Sequence, residues 1–457
     1  MHRAELRDQV ISLYRGRHYI DAAEAALRYL ENAPEDEIVL EILADSAVQA
    51  GHIDVGERTI TLLLDRKRTP TRLSCLATIR SAQGEMKVAE GLMREALAID
   101  PTMPGIWGLI AGVHRFRKDD PLIVKAKRIL KRKDVPADAR RSICFALCKA
   151  MNDIGKWDRA WDYAAQGAAL ANSQYDPGEF DRWLDDINET FDAEFLARKA
   201  GRGSESEAPV FIVGMPRSGT TLMEIVLAAT GEIAPMGERT IIPDITARAV
   251  RDDAARGNTP SSHAWVRRWR DDAFGQVADF YLQDIARRTG GSVPTRFTDK
   301  LPGNVLYLGE IGLIFPRAKI IRMHRDPLDT CVSCYLGQFH DGHDYTYRTD
   351  WLARAAHGFQ QIGDALAPII PNDVLDVHYE NLVSNPEPEI RRVLQFLDVT
   401  WTADCLTPAP VGYTTTTRSV AQIRKPINSS SVGRWRRYAN RIGPLADALG
   451  IDLTDAA

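Results

Sequence analysis

Cysteine is scarce: six residues in 457, at positions 75, 144, 148, 331, 334 and 405. That number in this length gives no disulfide framework, and a reducing, cytoplasmic setting is the expected one. Long apolar runs are missing too; none approaches the ~18 residues of a membrane-crossing helix, so no membrane association is expected. The first residues, Met1-His2-Arg3-Ala4-Glu5-Leu6-Arg7-Asp8, are charged and lack the apolar centre of a secretory signal. Charge of one sign is absent as well. Lys and Arg number 58 against 62 Asp and Glu, a net charge of -4, which excludes a general nucleic-acid binder but not a local basic pocket. Hydrophobic residues at 44% and charged residues at 26% are ordinary globular proportions and argue against wholesale disorder. The length exceeds one ordinary core, so two domains are expected.

Residues 1 to about 175 contain almost no β-branched runs, and their apolar spacing is helical. Ala22, Ala23, Ala26, Leu27 and Leu30 are expected to line one stripe, with Glu24, Arg28 and Glu31 opposite. Glycines followed by a new helical pattern stand at Gly16, Gly51 and Gly84, separations of 35 and 33. The next position falls on Lys118 in a degenerate unit, and the register returns at Gly155. Pro34 and Pro101 are 67 apart, twice that period. The unit Gly84-Glu85-Met86-Lys87-Val88-Ala89-Glu90, running on to Asp100-Pro101, resembles a tetratricopeptide repeat. Single helix pairs cannot bury their apolar faces, so the repeats are expected to stack as an all-α solenoid over 1–175. Such a solenoid is a binding surface for a partner protein or a second copy and carries no chemistry of its own. Residues 176–208 read as a connecting helix (Phe180, Trp183, Leu184, Ile187, Phe191 and Phe195 inward) and a Gly/Ser linker.

The second domain, 209–457, opens on Pro209-Val210-Phe211-Ile212-Val213, the continuous apolar run of a strand buried on both faces. Gly214-Met215-Pro216-Arg217-Ser218-Gly219-Thr220-Thr221 follows, then a helical pattern. Strand, glycine turn and helix start make a phosphate site: the backbone N–H groups point inward and the helix N-terminus favours an anion. The glycine spacing is that of a P-loop, but Thr220 stands where an NTPase needs lysine, which argues against ATP or GTP hydrolysis. Further strands are expected at 296–300, 318–324 and 374–377, alternating with helices, so the domain is an α/β fold on a parallel sheet. Ligands then sit at the strands' C-terminal ends, where Arg217, Lys300 and Arg325 converge.

Several ordered motifs carry a family resemblance. Val210 to Pro243, with the glycine loop and Gly237-Glu238-Arg239-Thr240-Ile241-Ile242-Pro243, resembles the start of the tyrosylprotein sulfotransferases. Arg325-Asp326 with Ser333, then Tyr379-Glu380-Asn381-Leu382, then Arg418-Ser419, Gln422 and Lys425-Pro426-Ile427-Asn428 before Trp435 resemble that family's later motifs. The resemblance covers about 209–440, and the whole chain resembles proteins that fuse tetratricopeptide repeats to a sulfotransferase domain. It implies 3′-phosphoadenosine-5′-phosphosulfate as donor and an acceptor hydroxyl or amine, with no metal. By position, Pro216, Arg217, Ser218, Gly219, Thr220 and Thr221 hold the 5′-phosphosulfate, Arg325 and Ser333 the 3′-phosphate, and Tyr379 the adenine. Gln422 and Lys425 belong to a loop that closes on the nucleotide. Glu238 falls on the catalytic base, and Lys300 and Ser419 on residues acting at the sulfuryl group, with Arg217 stabilising developing charge. Thr240 departs from the family, standing where an arginine holds the acidic peptide. The acceptor is therefore open: peptide tyrosine, glycan, lipid or small alcohol.

Other readings stay beside this one. A small-molecule kinase on the same loop requires Mg²⁺ and the missing lysine; a tetratricopeptide scaffold with a degenerate nucleotide domain requires no activity at all. His324 is an alternative base, Asp299 is expected to orient Lys300, and Cys331-Val332-Ser333-Cys334 is a weak redox or zinc pattern. His340 and His343 read as solvated loop histidines, and Trp265 and Trp269 as packing.

Overall fold

The computed structural model describes residues 3–16, 18–257, 263–339, 342–407 and 426–454. They form two compact units, and the division falls between Ala171 and Asn172.

Among the described residues of the first unit are ten helices: Arg3–Arg15, Tyr19–Leu30, Glu37–Ala50, Ile53–Arg66, Pro70–Ala82, Met86–Ile99, Ile106–Val113, Pro121–Leu130, Ala137–Asp153 and Trp157–Ala169. They come as pairs, and the members of the first three pairs and of the last pack on one another. The turns repeat as well. His52, Glu85 and Lys156 each donate their N–H to the carbonyl five residues back, Ala47, Arg80 and Met151, at 2.8 Å. Each bond closes over a left-handed glycine, Gly51, Gly84 or Gly155, with φ of 92°, 91° and 74°, which satisfies carbonyls the helix end would otherwise orphan. At the degenerate position the pattern changes: Ile106–Val113 is two turns long and packs on Ala137–Asp153. Thr69 and Asp120, each followed by proline, cap the helices that begin at Pro70 and Pro121.

One expectation fails here. Leu27 is 51% exposed, while Ala25 and Tyr29 join Ala22 and Ala26 in the core. Positions 22, 25, 26 and 29 share one face at 3.6 residues per turn, and Leu27 lies about 140° around the helix from Ala22.

The second unit begins with helices Pro177–Thr190 and Ala193–Lys199. Phe180, Leu184, Ile187, Phe191 and Phe195 are buried on their inner face. They pack against helices Thr349–Leu366 and Leu308–Ile314, so the stretch read as a connection is part of this unit's wall. Its centre is a five-stranded sheet of β1 (Pro209–Gly214), β2 (Ala234–Pro235), β3 (Phe297–Asp299), β4 (Lys319–His324) and β5 (Val374–His378). All neighbours are parallel, in the order β2-β3-β1-β4-β5. β1 is central and all six of its residues are buried. Pairing Phe211 with both Asp299 and Ile320 brings the ends of β1, β3 and β4 to one rim of the sheet. β2 went unseen in the sequence because two residues show no alternation.

Candidate functional site

The chain leaves β1 at Gly214 and enters helix Thr220–Ala228 at Thr220. Between them, Arg217 takes a left-handed backbone, φ 73°, which is costly for a side-chain-bearing residue and persists only when neighbours enforce it. They do. Arg217 Nε donates to Ser333 Oγ at 3.1 Å, and the Arg217 carbonyl accepts from Arg325 Nη1 at 3.0 Å. Gly219 has φ 103°, and a methyl on it would stand 2.6 Å from the Tyr379 ring. Only glycine lets the loop lie against that ring. Pro216, Ser218, Thr220 and Thr221 are buried around the same turn.

Arg325 is buried with its guanidinium 4.6 Å from the centre of the Tyr379 ring, and Nη2 donates to the Ser431 carbonyl at 2.6 Å. Burial, and after it the like charges of Arg325 and Arg434, lower the pKa of Arg217. Three guanidiniums are thus crowded in one low-dielectric place, which an anion would relieve. Among the described residues, Ser218 Oγ, Thr330 Oγ1, Arg325 Nε and Arg434 Nε are buried with no hydrogen-bond partner. Orphaned donors around a cationic cradle fit a phosphorylated ligand.

A second cluster lies across β1 from Arg325, at the end of β3. Lys300 is fully buried, and its Nζ donates to Glu238 Oε1 at 2.5 Å, while the Glu238 side chain stays 42% exposed. Glu238 therefore has one end on a buried cation and the other open to an incoming molecule. Arg239 does not pair with it; its side chain turns inward and its Nε is buried. Asp299 does not orient Lys300 directly. It accepts from Tyr281 Oη at 2.7 Å, from Asn304 Nδ2 at 3.4 Å and from the Arg239 N–H at 3.3 Å. Burial pushes its carboxyl up to about 7.

His324 takes a different place from Glu238. Its Nε2 is 2.8 Å from Asp376 Oδ1, its ring stacks on His378, and β4 lies on the other side of β1 from Lys300. Cys331 and Cys334 are buried; desolvation raises the first thiol well above its ordinary value and pushes the second up to about 12. Such thiols are poor nucleophiles and poor metal ligands. Among the described residues no three His, Cys, Asp or Glu side chains are grouped to hold a metal, and no helix is long and apolar enough to cross a membrane. His343 Nδ1 lies 3.0 Å from Tyr345 Oη, and Trp265 and Trp269 pack at 4.4 Å. Ser419, Gln422, Lys425 and His340 lie outside the described residues.

Residues 209–403 match the model of the sulfotransferase family. An uncharacterised protein of Aquifex aeolicus (strain VF5) is 28% identical over 445 residues, 94% of this chain and 57% of that protein. The protein-tyrosine sulfotransferase of Drosophila melanogaster is 28% identical over 261 residues, 53% of this chain and 51% of that protein. The chain thus spans little more than half the length of these two relatives. Among solved structures, the sulfotransferase domain from the Synechococcus PCC 7002 olefin synthase matches over 55% of this chain and 97% of that domain, at 22% identity and a TM-score of 0.38.

The structure adds residues that sequence reasoning passed over. Arg434 joins the cation cluster, and the only signal for it was its place beside Trp435 near the C-terminal motif. Asp329 is buried and accepts from the N–H of Gly433 at 2.7 Å and of Trp435 at 2.9 Å, fixing the segment that carries Arg434. Glu224, fully buried on helix Thr220–Ala228, accepts from the Gly237 N–H and from Thr298 Oγ1, both at 2.9 Å.

Proposed function

We propose that this protein is a sulfotransferase using 3′-phosphoadenosine-5′-phosphosulfate and an acceptor hydroxyl. The observation that carries the reading is the Lys300–Glu238 pair, a half-exposed carboxylate joined to a buried cation one strand away from a phosphate loop. The family match over 209–403 supports it. When bound, the donor supplies an activated sulfuryl group on its 5′-phosphate. The loop Pro216–Thr221 and its helix N-terminus hold that end through backbone N–H groups, and Arg325 with Ser333 holds the 3′-phosphate, with Arg434 as a third cation. Tyr379, packed under Arg325, borders the adenine.

Glu238 takes the proton of the acceptor hydroxyl, since its carboxylate is the exposed one of the cluster. Lys300 and Arg217 face the negative charge that builds on oxygen as the bond to the donor breaks, and buried, preorganised cations do this work well. Thr240 Oγ1 donates to Asp244 Oδ2 at 2.7 Å, one turn further along the helix that Thr240 precedes. With no cation at 240, an acidic peptide gains no hold there over a neutral acceptor. The helix pairs of the first unit are read as tetratricopeptide repeats that recruit the acceptor or a second copy. Six free cysteines suit a cytoplasmic setting.

The deciding experiment is calorimetric titration with 3′-phosphoadenosine-5′-phosphate beside ATP with Mg²⁺. Binding of the bisphosphate alone is expected and would justify an acceptor screen with labelled sulfate. A preference for ATP would replace the reading with a kinase, and binding of neither would leave a scaffold.

A further inference from the structure

The turn that carries Glu238 is held at four of its backbone polar groups. Met236 N–H donates to the Thr298 carbonyl at 3.1 Å, and the Gly237 carbonyl accepts from the Lys300 N–H at 2.9 Å. The N–H groups on either side of Glu238 go to two buried carboxylates: Gly237 to Glu224 at 2.9 Å and Arg239 to Asp299 at 3.3 Å. Asp299 is the last residue of β3, immediately before Lys300. Glu224 comes from elsewhere, one helical turn beyond Thr220 and Thr221 on the helix that the phosphate loop opens.

We infer that Glu224 is a positioning residue that ties the base-bearing turn to the phosphate-binding helix; the inference rests on the sulfotransferase reading above. Its second bond, from Thr298 Oγ1 at 2.9 Å, anchors the same oxygen to β3, two residues before Lys300. One carboxylate oxygen thus fixes three parts of the site at once: the loop helix, the Glu238 turn and β3. An apolar side chain would pack the helix against β3 without desolvating a charge. A carboxylate at full burial accepting the hydrogen bond next to the base does what packing alone does not. Ordering the start of the helix by an anion would then be felt at Gly237, so that the base is firmest when the donor site is filled.

The test compares Glu224→Ala and Glu224→Gln with the wild type in three measurements: titration with 3′-phosphoadenosine-5′-phosphate, hydrogen exchange at the Gly237 amide, and turnover per nucleotide-competent site across pH. In Glu224→Ala, bisphosphate affinity is expected to stay within about threefold, since the loop itself is untouched. Gly237 exchange is expected to rise at least ~10-fold, the loss of one protecting hydrogen bond. Turnover is expected to fall about a hundredfold, the usual scale for a small misplacement of a reacting group, with a displaced acid limb of the pH profile. Glu224→Gln keeps an acceptor oxygen and should restore Gly237 protection and most of the turnover. Wild-type protection and turnover in Glu224→Ala would overturn the inference, and so would loss of turnover strictly in step with lost bisphosphate binding. A wild type that transfers no sulfuryl group would defeat the functional reading instead. Gly237 exchange in the variants, with and without the bisphosphate, would still decide whether Glu224 holds the turn.

Discussion

The two units of this protein place their buried ionisable side chains differently. In the helical unit, buried ionisable side chains are paired within the helix packing. Arg72 reaches Glu37 at 2.5 Å and Glu41 at 2.7 Å, and Asp120 meets His114 at 2.6 Å. In the α/β unit, Glu224, Asp299, Lys300 and Asp329 are all at 0–1% exposure; Asp299 ends β3, Lys300 follows it, and Asp329 lies in the first turn of the helix after β4. Packing does not ask for four buried ionisable groups so near one rim of a sheet; a site does. Ion pairs tie helices together in the first unit; the second pairs buried groups too, His263 with Glu310 and Arg322 with Asp364 and Asp376, but adds a buried cluster near the rim of its sheet.

Lys300→Met breaks that comparison hardest. It removes the cation from the pair while keeping much of its bulk, so the fold and bisphosphate binding are expected to survive. Turnover is expected to fall about a thousandfold, roughly 4 kcal/mol, the scale of losing one preorganised contact to developing charge. Steady-state kinetics beside calorimetry check it, and wild-type turnover would remove Lys300 from the mechanism.

Asp299 gives the comparison a pH axis. Its carboxyl titrates at about 7 in the native protein against 3.8 for an ordinary aspartate, with burial as the chief cause. A raised native value means the folded state keeps a proton the unfolded chain has released. Its contribution to stability is therefore full below about pH 4 and is lost as pH rises towards 7. Asp299→Asn cannot titrate and should flatten that decline. Relative to wild type it gains about 2–3 kcal/mol between about pH 5 and pH 8, measured by urea unfolding. An unchanged difference across that range would mean that Asp299 is ionised throughout.

Much of this site was legible because its signals are local. β1 reads as a buried strand from five consecutive apolar residues, and the loop after it declares itself through Gly214, Arg217 and Gly219. Lys300 and Arg325 were visible as charges at strand ends. What was hidden depends on distance in sequence. Glu224 on its own reads as the solvated face of a helix; only the fold brings Gly237 and Thr298 to it. Arg434 lies 217 positions from Arg217, and nothing in either neighbourhood announces the other. Leu27 failed for a different reason, since an apolar residue is not bound to face the core when alanines and a tyrosine already fill that face. The helix pairing was the easiest feature to read, because the same glycine turn recurs at 51, 84 and 155.

Two left-handed glycines, one in each unit, sharpen the contrast further. Gly219→Ala meets both a forbidden backbone and the Tyr379 ring at 2.6 Å. The loop must shift, and bisphosphate affinity is expected to drop about thirtyfold, or roughly 2 kcal/mol, in calorimetric titration. If affinity holds, the loop does not bind the nucleotide in the shape it has here.

Gly51→Ala is the mildest case. Gly51 has φ 92°, yet a methyl there would meet nothing within 4 Å. Only the backbone cost remains, about 1 kcal/mol for an alanine in the left-handed region. The bond from His52 to the Ala47 carbonyl that closes the helix has no reason to break, because no side chain stands in its way. Thermal unfolding should therefore show a small drop in Tm, while bisphosphate affinity and turnover stay at wild-type values. Such a result would locate glycine's role in the helical unit in the turn alone and its role in the α/β unit in the ligand. A loss of turnover in Gly51→Ala would instead show that the repeats take part in the chemistry.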